Sequence, residues 1–106
     1  MSAEPIAQSL DEPATERCLV VVPTYDEAEN IDRLLDAVLA AAPYADVLVV
    51  DDNSPDGTAA VVTNRPEFDQ QVWLLERPGK AGLGAAYRAG FAWALARGYE
   101  RMLQMD

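Results

Sequence analysis

Two adjacent carboxylates, Asp51 and Asp52, end the apolar run Val47-Leu48-Val49-Val50 and open the turn Asn53-Ser54-Pro55-Asp56-Gly57-Thr58. A carboxylate at a strand end can accept hydrogen bonds from a ribose or a base N–H, or hold a metal. Successive side chains of an extended chain point to opposite sides, so at most one of the pair faces a ligand. The competing reading is that both cap the turn. Tyr25 and Glu27 follow a second apolar run, Cys18 to Val22, and alternate onto a common side if the chain stays extended past Pro23. A ring against a base, with a carboxylate for its donors, fits that spacing; so do a surface aromatic and a first-turn helix acid. Gly79-Lys80-Ala81-Gly82-Leu83-Gly84 precedes a helical stretch, so backbone N–H groups near Gly82 and Gly84 and the Lys80 ammonium can meet a phosphate. The loop lacks the Gly-Lys-Ser/Thr ending of a Walker loop, and its glycine spacing is not that of the dinucleotide fingerprint. Tight packing of helix on strand explains its glycines equally well. Asp106 follows a further apolar approach, Met102-Leu103-Gln104-Met105, and gains its interest from the company of the other three motifs.

The elements that must position these residues are legible as an alternation. Cys18 to Val22 reads as a strand buried on both faces, with Pro23 stopping its ladder. Ile31, Leu34, Leu35, Val38, Leu39 and Ala42 form one helical stripe, with Asp26 and Glu29 spaced as a capping box and Pro43 at the exit. Val47 to Val50 is the second strand. A short helix over 58–63 follows, started by Ser54-Pro55, and Val72-Trp73-Leu74-Leu75 is the third strand. A third helix runs from Gly84 to Arg97 with Leu83, Tyr87, Phe91, Ala94 and Leu95 on one face, and Gly98 ends it. Arg101 to Met105 completes the order β-α-β-α-β-α-β. That order predicts an α/β domain with a parallel sheet and right-handed crossovers. Ligands of such sheets sit beyond the carboxyl ends of the strands, where all four polar motifs fall.

Composition narrows the function classes. A net charge of -10 with no histidine, and only scattered Lys and Arg, argues against a nucleic-acid partner. Cys18 is the single cysteine, which excludes a disulfide within the chain and suits a buried thiol in a strand. No apolar stretch approaches the roughly 20 residues of a membrane span. Residues 1–17 are acidic, carry two prolines and no apolar core of a signal peptide, so they read as a flexible tail on a cytoplasmic protein.

Together, Pro23-Thr24-Tyr25-Asp26-Glu27-x-Glu29-Asn30, Val50-Asp51-Asp52-Asn53-Ser54-Pro55-Asp56-Gly57-Thr58, Lys80-x-Gly82-Leu83-Gly84-x-Ala86-Tyr87 and Gln104-Met105-Asp106 resemble the polyprenol (dolichol) phosphate mannosyltransferases. These are inverting GT-A glycosyltransferases of the second sequence family. The resemblance covers residues 18–106 and implies a Rossmann-like nucleotide-binding half of a GT-A fold. It implies that Pro23, Tyr25 and Glu27 line the guanine and ribose pocket and that Val50 and Asp52 complete the nucleoside contact, with Asp51 a further candidate. Asp106 matches the first Asp of the family's Asp-x-Asp, which binds the donor diphosphate through Mg²⁺ or Mn²⁺ and so stabilises the leaving group. The donor implied is GDP-mannose and the acceptor a polyprenyl phosphate, anionic enough to attack with little need of a strong base. Any membrane association comes through that lipid acceptor or through segments beyond these residues, which places the intact form at a cytoplasmic membrane face. Asp26 stands where the family usually has Asn. The chain stops at Asp106, about half the length expected of such a domain, and is expected to be an N-terminal piece, inactive alone. The alternatives are a related transferase with a UDP-sugar donor and a non-catalytic nucleotide-binding remnant. A phospho-acceptor receiver domain is disfavoured because Leu74-Leu75 leads to Glu76-Arg77 rather than to an Asp.

Overall fold

A computed structural model of the chain describes residues 17–79 and 81–105. The expected tail (Arg17 apart), Lys80 and Asp106 lie outside the described residues. Seven elements alternate along the chain: β1 (Cys18–Thr24), α1 (Ile31–Ala41), β2 (Asp46–Asp51), α2 (Thr58–Thr63), β3 (Val72–Glu76), α3 (Leu83–Ala96) and β4 (Arg101–Gln104). The strands form one sheet in the order β3-β2-β1-β4, every pair parallel. The chain thus winds outward from β1 to β3, then crosses back to lay β4 on the free side of β1. This reversal makes the ends of β1 and its neighbours a topological switch point.

Side-chain alternation divides the core in two. Val20, Val22, Val47 and Val49 meet Ile31, Leu35 and Val38 of α1 and Val62 of α2. Leu19, Val21, Leu48 and Val50 meet Ala86, Tyr87 and Ala94 of α3 on the other face. Burying each such aliphatic side chain stabilises the fold by about 1.5–3 kcal/mol relative to exposure. A one-residue slip of register would exchange the two faces, so the register is strongly specified.

Three expectations are corrected. First, β1 continues through Pro23, which pairs with Val50. The Met105 N–H donates to the Val21 carbonyl, so the main-chain groups of residues 21 and 23 face β4. β4 pairs only as far as Val21, and the missing Pro23 N–H therefore costs no ladder bond. Second, the buried face of α3 is Ala86, Tyr87, Gly90 and Ala94, while Leu83 and Leu95 are exposed. Small residues win because the helix lies close on the sheet: a Cβ at Gly90 would stand 2.6 Å from Val21 Cγ1. Third, no capping box forms on α1; its N-cap is Asn30, without a side-chain cap hydrogen bond. The N–H groups ahead of that helix find partners in another loop.

Candidate functional site

The register brings three strand ends level. Thr24 pairs with Asp51, and Asp51 with Glu76. Each ladder runs one bond further, from the Asp52 N–H to the Thr24 carbonyl at 3.1 Å and from the Arg77 N–H to the Asp51 carbonyl at 2.8 Å. The loops after β1, β2 and β3 therefore leave the sheet side by side.

The two adjacent carboxylates part company here. Asp51 is only 1% exposed. Its Oδ1 accepts from the Thr24 hydroxyl at 2.6 Å and the Ser54 hydroxyl at 2.6 Å, and its Oδ2 accepts from the Ser54 N–H at 2.9 Å. Ser54 Oγ in turn accepts the Asp26 N–H at 2.9 Å. A second relay runs alongside. Asp56 Oδ1 accepts from the Thr58 hydroxyl at 2.5 Å and Oδ2 from the Ala28 N–H at 3.0 Å, while Thr58 Oγ1 accepts the Glu27 N–H at 3.0 Å. Three consecutive main-chain N–H groups, of Asp26, Glu27 and Ala28, are thus held by side chains of the next strand's loop. The Thr58 hydroxyl foremost, with the Ala28 and Thr58 N–H groups, holds the Asp56 carboxyl below its usual range against a smaller opposing effect of desolvation. Asp26 takes a left-handed φ of 57° to serve this clamp, a conformation that Asn and Asp tolerate better than other side chains.

Asp52 lies on the opposite side of the chain, toward α3. With Pro23, Thr24, Tyr25, Gly82, Leu83 and Ala86 it lines a cavity of about 170 Å³. The residue is 5% exposed. Its Oδ2 meets the Ala81 N–H at 3.5 Å, and its Oδ1 stands 3.6 Å from Arg77 Nη1. Both of those facing atoms are buried without a hydrogen-bond partner. A nearly buried carboxylate whose only hydrogen bond among the described residues is that long one is costly to a fold and useful to a site that receives N–H or O–H groups. Gly82, at φ 96° and ψ 158°, adopts a conformation open essentially to glycine alone, and so turns the chain into α3 beside the cavity. The first turn of this 14-residue helix carries free N–H groups and the positive end of the helix dipole.

The profile of glycosyl transferase family 2 matches residues 19–99. The chain belongs to glycosyl transferase family 2. It is 48% identical over 93 residues to the polyprenol monophosphomannose synthase of Mycolicibacterium smegmatis, covering 87% of this chain and 35% of that protein. It is 48% identical over 90 residues to the undecaprenyl-phosphate mannosyltransferase of Micrococcus luteus, covering 85% of this chain and 37% of that protein. The chain spans a little over a third of the length of these curated relatives. Among solved structures it resembles mannosyltransferase PcManGT from Pyrobaculum calidifontis in complex with GDP-Man and Mn²⁺, with a TM-score of 0.63 and 31% identity over 77% of this chain and 26% of that one. The resemblance to polyprenol-phosphate mannosyltransferases read in the sequence is borne out, and the parallel sheet with its flanking helices is a GT-A-like α/β architecture.

Within this family 2 domain the residues singled out by sequence fall into separate places. Pro23, Tyr25, Asp52 and Gly82 converge on the cavity. Val50 is wholly buried beneath α3, near Gly90. Asp51 belongs to the loop clamp, Glu27 enters that clamp by its main-chain N–H, and Gly84 sits in the first turn of α3 beside the Arg88 side chain. The metal candidate Asp106 and the phosphate candidate Lys80 lie outside the described residues. Among the described residues there is no group of three or more His, Cys, Asp or Glu side chains placed to hold a metal ion. No helix of the described residues is long and apolar enough to cross a membrane. Sequence reasoning passed over Thr24, Ser54, Asp56 and Thr58 as clamp residues. Their hydroxyl and carboxylate types are turn chemistry, but the N–H groups that Ser54, Asp56 and Thr58 hold lie 28 to 31 residues away, and the Thr24 hydroxyl donates to Asp51, 27 residues on.

A larger cavity, about 670 Å³, lies at the other end of the strands among Arg17, Trp73, Trp93, Arg97 and Tyr99. Its buried acid, Asp46, is already satisfied by Arg17 Nε at 2.8 Å and the Tyr99 hydroxyl at 2.5 Å. Burial, then that bond, pushes the Tyr99 hydroxyl pKa up. Its position at the amino ends of the strands and its closed polar pairs set it apart from the ligand end of the sheet.

Proposed function

We propose that this chain is the donor-nucleotide part of a transferase that moves mannose from GDP-mannose to a polyprenyl phosphate, with inversion at the anomeric carbon. The observation that carries the reading is the 48% identity to two polyprenyl-phosphate mannosyltransferases across a stretch that includes the whole strand-end cavity. In this reading the Tyr25 ring lies against the base or ribose, and Asp52 accepts N–H or O–H groups of the nucleoside. Pro23 shapes the wall, with Glu27, Val50 and Asp51 as further nucleoside-side candidates. The N-terminal turn of α3, with Gly82, Gly84 and Lys80, meets the diphosphate. Mg²⁺ or Mn²⁺ is the proposed cofactor. The described residues do not form a site for it by themselves, so Asp106 and the diphosphate are its candidate ligands. The acceptor phosphate is already anionic at neutral pH, and catalysis rests on positioning and on electrostatic stabilisation of the departing diphosphate. The lipid acceptor brings the intact enzyme to a membrane, proposed as its cytoplasmic face.

Calorimetric titration of the chain with GDP-mannose, GDP and UDP-glucose, each with Mn²⁺, tests the donor assignment. Guanine nucleotides are expected to bind at least about tenfold tighter than the uridine one, a difference of about 1.4 kcal/mol. Equal or tighter binding of UDP-glucose would replace GDP-mannose with a UDP-sugar as donor.

A further inference from the structure

Among the described residues Arg77 is the cation that faces Asp52. It leaves the sheet one residue after β3, where its N–H donates to the Asp51 carbonyl at 2.8 Å, so its main chain is fixed by the same ladder that fixes Asp52. Its side chain is 16% exposed and that of Asp52 is 7% exposed. Arg77 Nη1 and Asp52 Oδ1 stand 3.6 Å apart, and neither atom has a hydrogen-bond partner. The spacing has two consequences. In a poorly solvated place the opposite charge compensates the carboxylate, which would otherwise be a buried charge without a partner. The pair is nonetheless too open for a hydrogen bond, and Arg77 faces only the buried Oδ1, so Oδ2, whose one hydrogen bond among the described residues is the 3.5 Å approach of the Ala81 N–H, keeps acceptor capacity. A closed, bidentate arginine–carboxylate contact would achieve the first effect and forfeit the second. Arg77 does not line the cavity, whereas Asp52 does.

We propose that Arg77 is a positioning residue for nucleotide binding: it compensates the charge of Asp52 and orients its carboxylate, with Oδ2 left for a donor group of the nucleoside. The proposal rests on the reading of the cavity as the nucleoside pocket. It predicts that Arg77 acts on the ligand only through Asp52.

The test is a double-mutant cycle of Arg77→Met and Asp52→Asn, read as GDP affinity by calorimetry, with Arg77→Lys as the conservative variant and urea unfolding of each chain. Arg77→Met is expected to weaken GDP binding about tenfold or more, the scale found when one member of a desolvated charge pair is removed. Arg77→Lys is expected to recover most of that loss. In the Asp52→Asn background, Arg77→Met is expected to change affinity by less than about threefold, because the charge it compensates is gone. Should Arg77→Met fail to fold, the double variant, which removes both charges, and Arg77→Lys still decide the matter. A loss from Arg77→Met of the same size in both backgrounds, or no gain from lysine over methionine, would overturn the positioning role while leaving the pocket assignment intact. A parent chain that binds no guanine nucleotide would overturn the pocket assignment and this role with it.

Discussion

Asp51 and Asp52 are neighbours of one residue type, and the structure makes their amide variants behave oppositely. Asp51 holds three donors, at 2.6, 2.6 and 2.9 Å, on a carboxylate 1% exposed. Asp51→Asn keeps one acceptor oxygen and turns the other into an NH₂ group. If the oxygen keeps the two hydroxyls, the new N–H faces the Ser54 N–H, so one bond is lost and two buried donors stand unpaired. A hydrogen bond to a charged group contributes about 1.5–3 kcal/mol, and each stranded buried donor costs about 1–3 kcal/mol. Partial rotation of the hydroxyls offsets some of this, leaving an expected loss of about 3 kcal/mol. With a urea slope of about 1–1.5 kcal/mol/M for a small protein, the unfolding midpoint falls by about 2–3 M. Asp52→Asn removes a carboxylate oxygen that has no hydrogen bond, and Arg77 is 16% exposed and can turn to water. Its expected effect on stability is within about 1 kcal/mol, while GDP binding weakens about tenfold, to a level calorimetry still measures. Equilibrium urea unfolding of both variants checks the contrast. A midpoint for Asp51→Asn within about 0.5 M of the parent, or an equal drop for both variants, would refute the division of labour between the two aspartates.

Gly90→Ala places a methyl 2.6 Å from Val21 Cγ1 and 3.3 Å from Val50 Cγ2. Overpacking of about 1–3 kcal/mol outweighs the roughly 1 kcal/mol gained in helix propensity, and thermal unfolding should show a net loss. In a Val21→Ala background the same change should be neutral or stabilising. Asp56 has a folded-state pKa below its ordinary 3.8, chiefly through the Thr58 hydroxyl. Its contribution to stability is therefore present above that ordinary value and lost as pH falls through the lowered one. Unfolding curves of the parent and of Asp56→Asn, run from pH 6 downward, should accordingly differ at pH 6 and converge in acid.

The elements themselves were readable because each depends on nearest neighbours or on one period. Apolar runs at 18–22, 47–50 and 72–75 mark strands, the three-and-four spacing from Ile31 to Ala42 marks a helix, and their alternation implies a parallel sheet. Misreadings came where a distant partner decided. Leu83 and Leu95 looked like the buried face of α3 by hydrophobicity, but the closeness of the sheet at Val21 selects Gly90 and the alanines instead. Pro23 looked like a stop until the short β4 left its N-side edge unpaired. Asp26 and Glu29 looked like a cap, yet the N–H groups of residues 26–28 bond to Ser54, Thr58 and Asp56.

The chain's composition and order of motifs by themselves determine the α/β class, the strand ends as the place of the polar residues, and the family they resemble. Only the tertiary structure separates Asp51 from Asp52 and brings Arg77 to face one of them. Alternation along β2 requires the two carboxylates to point apart, but does not say which side holds the clamp and which the cavity. That choice depends on Thr24 and Ser54 meeting one face and α3 with Gly82 closing the other, contacts between residues far apart in sequence that exist only once the parallel register is set.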